Sequence, residues 1–402
     1  MALSVYVHIP YCLQRCRYCD FTTFEWTEIL PPERYVAQVL QEIRLRRKLW
    51  SRHDELATLY FGGGTPSLIE PDLIVAICRE LANCGFRFQD QAEITIEINP
   101  ATLSQRSLDT YLRAGINRFS VGAQTFNDDL LTKCGRRHTA EDTRATLKLL
   151  QGRNYSFDLL FALPGQTTQD LARDLDEVSA FSPPHLSAYC LTVPSGHPMA
   201  LGRPPEDKQV QMFHQIESHL QADGLEKYEI SNFAKRGLHS RHNSVYWNDN
   251  SYWGIGLSSH SYDRDAGAFG MRFWNPKSTA EYARQATHEA ASFSALLPEE
   301  QWELLKEHES LTDFCHMFLR TSVGLPKDAL QKKFSPLAIN QAKGRLERLR
   351  AMGLLHHVEG FWRLSQQGQL VSNKVFEELT FLAHDLGSER LTGSKADTYC
   401  SV

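Results

Sequence analysis

Residues Leu56-Ala-Thr-Leu-Tyr-Phe61-Gly-Gly-Gly64-Thr-Pro-Ser67 carry the reading that decides the fold. A six-residue run of β-formers ends in three glycines. Apolar residues return at Leu73, Ile74, Ile77 and Leu81, the spacing of one helix face. A strand, a glycine turn and an amphipathic helix make one βα unit. The same alternation recurs on both sides. Strands are expected at Leu3–Ile9, Glu93–Ile98, Arg118–Gly122, Phe157–Ala162 and His185–Leu191. Helix faces lie between them, at Val36, Val39, Leu40 and Ile43, at Leu108, Tyr111 and Leu112, at Leu147 and Leu150 behind the cap Thr139, at Leu171, Leu175 and Val178, and at Val210, Phe213, Ile216 and Leu220. This predicts an α/β fold with a parallel sheet. Eight units close a TIM barrel. Six predict an incomplete (β/α)6 barrel of TIM type, with a doubly wound sheet as the other arrangement.

Three domains follow, at 1–236, 237–297 and 298–402. The middle stretch is rich in Asn, Ser, Tyr, Trp, His and Gly and reads as a linking segment of loops and short strands. From Pro298 a helical pattern is expected to end near Leu319. Helices at Pro326–Phe334 and Leu337–Met352, a hairpin around Glu359-Gly360 and a last helix through Val371, Val375 and Leu379 read as a small winged-helix-like domain. Gly387–Val402 is polar and is expected to fray.

The 402 residues carry 43 Lys and Arg against 48 Asp and Glu, a net charge of −5. That balance gives no reason to expect nucleic acid or an acidic membrane. Between Leu325 and Arg363 eight basic residues face three acidic ones. A basic winged helix is a DNA-binding signal, which the acidic whole and the frequent use of such modules as lids outweigh. No signal peptide, transit peptide or bilayer-length apolar run is read in the chain, so a cytoplasmic location is expected.

Six of the nine cysteines are scattered, as buried thiols in a reducing compartment are. The other three, Cys12-Leu-Gln-Arg-Cys16-Arg-Tyr-Cys19, fall on the loop after the first strand, the end where βα proteins place their chemistry. A closed zinc site takes four ligands, and with no second cysteine pair His8 would have to complete it. A [4Fe–4S] cluster normally takes four thiolates. Three leave one iron open to a substrate or cofactor.

This motif resembles the radical S-adenosylmethionine (SAM) superfamily, in which the open iron chelates the methionine end of SAM and an electron from the cluster cleaves it. Tyr6-Val-His8-Ile-Pro10-Tyr-Cys12, Cys19-Asp20-Phe21, Gly62–Ser67, Ile96-Glu97-Ile-Asn-Pro100, Ser120–Gln124, Leu163–Gln166 and Tyr228–Phe233 narrow the resemblance. They are similar to oxygen-independent coproporphyrinogen III oxidases and their relatives over nearly the whole chain. The resemblance implies Cys12, Cys16 and Cys19 as cluster ligands. It implies Tyr6, Gly63, Gly64, Thr65, Glu97, Gln124, Arg136 and Asp158 as SAM contacts, with Arg136 a cation for the SAM carboxylate.

Two features divide the family. The oxidases carry a further cysteine two residues past the third, where this chain has Phe21. Arg241-His242-Asn243-Ser244-Val245-Tyr246-Trp247 contains H-N-x-x-Y-W, similar to a motif of the heme-chaperone (HemW-type) branch. The resemblance implies binding of heme, transfer to acceptor apoproteins that the sequence does not identify, and an electron donor for the cluster. His242 is the expected axial donor, with His8, His138, His260 or a cysteine as alternatives. The alternative activity is the oxidase's radical decarboxylation of propionates, which the missing thiol argues against. Thr192–Gly196 and Gly256–His260 depart from the usual chaperone pattern.

Overall fold

The computed structural model describes residues 2–287 and 298–387. The chain divides into two compact units, one of residues 1–266 with 270–304, the other of 267–269 with Leu305 onward.

The first unit is built on six parallel strands in sequence order: β1 (Leu3–Ile9), β2 (Glu55–Gly63), β3 (Arg87–Ile98), β4 (Arg118–Gln124), β5 (Tyr155–Phe161) and β6 (His185–Cys190). Every strand expected from the sequence is present. Beyond β6 the sheet runs antiparallel through β8 (Asn232–Ala234) to β7 (Glu226–Lys227). On the other side β9 (Tyr252–Ile255) lies parallel to β1, and β10 (His260–Asp263), β11 (Met271–Trp274) and β12 (Trp302–Leu304) follow it antiparallel. The sheet thus has β12 at one end and β7 at the other. Residues 252–274, part of the expected linking segment, supply three strands of this sheet. Residues 288–297 of that segment lie outside the described residues.

The helices connecting the strands follow their sequence signals. Pro32–Arg46 starts on its proline, and Gln105–Arg113, Ala140–Leu149 and Thr168–Phe181 start on capping boxes at Ser104, Thr139 and Thr167. Their apolar faces bury Val39, Ile43, Leu108, Leu147, Leu171 and Leu175 against Val5, Val7, Leu59, Ile96, Phe119, Phe157 and Leu186 of the sheet.

The opposite, inner face of the same strands is polar. Register sets Tyr6 beside Tyr60, Thr58 beside Glu93, Thr95 beside Arg118, Glu97 beside Ser120, Ser156 beside His185 and Asp158 beside Ser187. Parallel strands covered by apolar layers on both sides read as continuous hydrophobic runs. These alternate instead, so the inner face is made to hold polar groups.

The helix Arg241–Trp247 lies at the amino end of that face. The Glu93 carboxylate accepts from the backbone N–H groups of Arg241 and His242, both at 2.9 Å, and Ser240 caps the first turn. An anion at two unpaired helix N–H groups is a favourable end.

The helix expected from Pro298 is shorter. Glu299–Gln301 is a single tight turn, Trp302–Leu304 joins the main sheet as β12, and the helix is Glu307–Arg320. Lys306 supplies a start there, its backbone N–H held by Glu309 at 2.8 Å. Helices Lys327–Lys333 and Pro336–Ala351 and the antiparallel hairpin of Leu355–Val358 with Phe361–Leu364 follow as expected. The last helix is split into Gln366–Leu370 and Ser372–Glu378. Residues 388–402 of the expected frayed tail lie outside the described residues.

Candidate functional site

The carboxyl ends of β1 and β2 meet over the cysteines. The glycine turn is stitched to the cysteine loop by Gly64 N–H to Ile9 O at 2.9 Å and Thr65 N–H to Tyr11 O at 2.7 Å. A side chain at Gly64 would put its Cβ 2.6 Å from Tyr11 O. At Gly63, where φ is +112°, it would meet the His8 ring at 2.5 Å. Both glycines are therefore required by close approach.

Cys12, Cys16 and Cys19 are free thiols on this loop. Each has its own surroundings. Burial pushes the Cys12 thiol up to about 11, opposed by the Thr23 and Thr65 hydroxyls. Cys16 Sγ accepts from Arg136 Nη1 at 3.3 Å. Cys19 is raised by burial and eased by the Phe21 backbone N–H. Arg17 N–H donates to Cys134 O at 3.0 Å, fixing the loop to the end of the helix Asp128–Cys134. No three His, Cys, Asp or Glu side chains among the described residues converge as ligands of one metal ion. Three cysteines on one loop can each supply a thiolate to its own iron of a polynuclear centre, whereas a closed zinc site takes four ligands on one ion.

The remaining residues fall in two layers. Arg136, Gln124 and Gly122 form the upper one: Arg136 Nη2 donates to Gly122 O, and a Cβ at Gly122 would lie 3.1 Å from Gln124 Nε2 and 3.2 Å from Arg136 Nη2. Gln124 ends its strand in the left-handed region, at φ 68°. Arg136, expected to meet the SAM carboxylate, has Nη1 on Cys16 Sγ and Nη2 on Gly122 O.

The lower layer holds Tyr6, Tyr60, Glu97 and Asp158. Tyr6 stacks on Tyr60 at 6.0 Å and bonds His8 Nδ1 at 3.2 Å. Glu97 accepts from Tyr60 Oη at 2.9 Å and from Gly63 N–H at 3.1 Å, so it ties the glycine turn to the inner face. Burial raises its carboxyl to about 7, with nearby Asp158 adding and the two donors opposing. Asp158 is set lower than a strand-end position. It lies mid-strand, where Ser120 Oγ donates at 3.0 Å and Ser156 Oγ at 3.1 Å. Each serine donates to a different oxygen of the carboxylate.

Glu97 gives a pH prediction. Below about pH 4.5 both folded and unfolded chains hold this proton. Between about 4.5 and 7 only the folded chain does, so stability falls as pH rises through that window. The full penalty above it is about 3 kcal/mol. Glu97→Gln removes it. Thermal melting of the variant should gain on the parent between pH 5 and pH 8; equal melting curves at both pH values would refute the assignment.

The structure places His242, the expected axial donor, on the inner face of the sheet. It lies at the amino end of that face and is 1% exposed. Its Nδ1 is 2.7 Å from Thr58 Oγ1 and its Nε2 2.9 Å from Tyr246 Oη, with Tyr60 stacked on it at 5.0 Å. Both ring nitrogens are engaged, so this geometry leaves no lone pair for an iron. The H-N-x-x-Y-W helix closes the floor of the inner face.

Sequence reasoning missed Tyr60, Glu93, Arg118, Ser156 and His185. The signal was present: a polar residue at every second place in runs otherwise apolar. It also missed the helix Asp128–Cys134, capped by Asn127 and stopped by Gly135, which delivers Arg136 to Cys16.

Comparison with known proteins places this geometry in context. Residues 6–178 match the model of the radical SAM superfamily, and residues 291–371 that of the HemN C-terminal domain. The chain is 30% identical over 383 residues to the heme chaperone HemW of Bacillus subtilis, covering 93% of this chain and 98% of that one. It is 35% identical over 268 residues to the heme chaperone HemW of Haemophilus influenzae, covering 64% of this chain and 70% of that one. Among solved structures, coproporphyrinogen III oxidase (HemN) of Escherichia coli superposes with a TM-score of 0.79 at 22% identity, over 94% of this chain and 90% of that one. That likeness establishes the shared fold.

Proposed function

The chain belongs to the HemW heme-chaperone family of radical SAM proteins, and on that premise we propose that it binds heme and transfers it to acceptor apoproteins. The observation that carries the reading is the end-to-end match to heme chaperones, which spans both compact units. Cys12, Cys16 and Cys19 would hold a [4Fe–4S] cluster, with SAM at the open iron. Such a cluster, when bound, supplies one electron and a coordination place to SAM.

The chain's own residues do the rest. Gly63 and Gly64 let backbone come close to a ligand over the cysteine loop. Gln124 and Arg136 belong to the upper layer, Tyr6, Glu97 and Asp158 to the lower, and Thr65 follows the glycines. Arg136 holds Cys16 Sγ in place. In this reading the protein is cytoplasmic, takes electrons from an external donor and has no nucleic-acid partner. No described helix is long and apolar enough to cross a membrane.

The second reading, an oxygen-independent coproporphyrinogen III oxidase, draws on the shared fold. Phe21 disfavours it. That side chain is 68% exposed where the oxidases have a thiol, and phenylalanine can do no thiol chemistry. The test runs two assays in parallel on protein with an intact cluster. Heme titration should give a saturable Soret band, and the loaded protein should pass heme to an apo-hemoprotein. Coproporphyrinogen III with SAM and reductant should remain unchanged. Conversion to protoporphyrinogen IX would overturn the chaperone reading.

A further inference from the structure

A heme chaperone needs a donor for the iron, and the floor histidine is closed. His8 and His185 are closed too. His8 Nε2 lies 2.8 Å from Thr22 O with Tyr6 on Nδ1, and His185 is held between Ser156 at 2.9 Å and Tyr228 at 2.8 Å. His138 is buried, with Nε2 at 3.2 Å from Ala123 O.

His260 differs from all of these. It opens β10, it is exposed, and neither ring nitrogen has a hydrogen-bond partner among the described residues. Register puts it directly across from Trp274 of β11, with the rings 6.0 Å apart and 29° from parallel. Cross-strand partners share a face, so His260, Trp274, Tyr262 and Arg272 lie on one side. Through Tyr252, the partner of both Tyr262 and Ser4, that side continues the inner face. Lys277 and Arg272 bring positive charge to the ring. Arg272 is paired with Glu303, while Lys277 is exposed.

The turn before His260 is tied to the cysteine loop. Thr22 Oγ1 donates to Ser258 Oγ at 3.0 Å, and Phe21, next in sequence, is the exposed aromatic. An imidazole with open nitrogens, an aromatic that fixes its plane, an apolar surface and an unspent cation thus gather at one rim. These are the groups that a flat, apolar, iron-bearing dianion requires: an axial donor, apolar contact for the ring and a cation for a carboxylate.

We propose that the rim formed by His260, Trp274, Lys277 and Phe21 is the heme site of this chain, with His260 the axial donor. The proposal rests on the heme-chaperone reading and names the site through which it works. Trp274 is a positioning residue, holding the imidazole plane. Heme at this rim sits beside the cysteine loop, within reach of chemistry at the cluster.

The experiment titrates ferric heme into the full chain and into His260→Gly, His260→Ala and His242→Gln, with iron–sulfur absorbance as the measure of folding. The parent should show a histidine-ligated Soret band. His260→Ala should shift that band and weaken heme binding roughly tenfold or more. Added imidazole should restore the band in His260→Gly, which no loss of folding would allow. His242→Gln should keep the parent spectrum. An unchanged band in folded His260→Ala, or a change that follows His242 instead, overturns the proposal and leaves the chaperone reading standing. A parent that binds no heme overturns both.

Discussion

Cys16→Ala is expected to leave the chain without an iron–sulfur cluster. Anaerobic reconstitution of the parent should give about four irons and four sulfides per chain. The variant should give close to none. On the proposed ligation by Cys12, Cys16 and Cys19, removing one leaves two irons without a protein ligand, and a cluster so held is lost to chelators. Cys16 also accepts a hydrogen bond from the charged Arg136 guanidinium at 3.3 Å. Cys84→Ser is the control. Cys84 follows the helix Pro71–Asn83 and faces Glu80 and Arg47, with no contact to the cysteine loop. A full cluster of parental spectrum in Cys16→Ala would sink the ligand assignment.

The three grouped cysteines were legible because they follow one another on a single loop. Cys12, Cys16 and Cys19 need only the β1 strand before them to be placed, and that strand is signalled by its apolar alternation. The strands and capped helices were legible for the same reason: their signals are local. What was not legible was long-range. His242 carries a motif whose chemistry suggests iron, yet its place depends on Glu93, about 150 positions earlier in the chain, which anchors the helix and turns the ring into the floor. Asp158 reads as a SAM contact on the fifth strand, and the register that sets it beside Ser187, with Ser120 and Ser156 donating to it, is not a local signal. Conversely His260, in a segment noted chiefly for departing from the usual pattern, emerges once β10 and β11 are paired.

The largest energetic consequence of such long-range placement lies at Glu42. In the sequence Glu42 and Arg46 form an i,i+4 pair, ordinarily a solvated contact of a few tenths of a kcal/mol. In the structure both side chains are buried, at 0% and 2% exposure. Arg46 Nη1 donates to Glu42 and, at 2.6 Å, to Asn275 Oδ1. The Glu42 carboxylate also accepts from Gly256 N–H at 2.9 Å, Asn275 Nδ2 at 2.9 Å and Tyr282 Oη at 2.7 Å. One helix is thereby fastened to the turn before His260 and to the segment after β11. Glu42→Ala would strip four donors of their acceptor and strand a buried guanidinium, whose Nε and Nη2 already lack partners among the described residues. Breaking a buried pair in this way costs about 3–5 kcal/mol. Arg46→Met added to Glu42→Gln should recover part of that loss, because the stranded charge goes while an amide still meets some of the donors. Urea or thermal unfolding of the metal-free chain measures both. A Glu42→Ala variant as stable as the parent would mean that water reaches this pair, and the rim carrying His260 would then be held by its strand pairing alone.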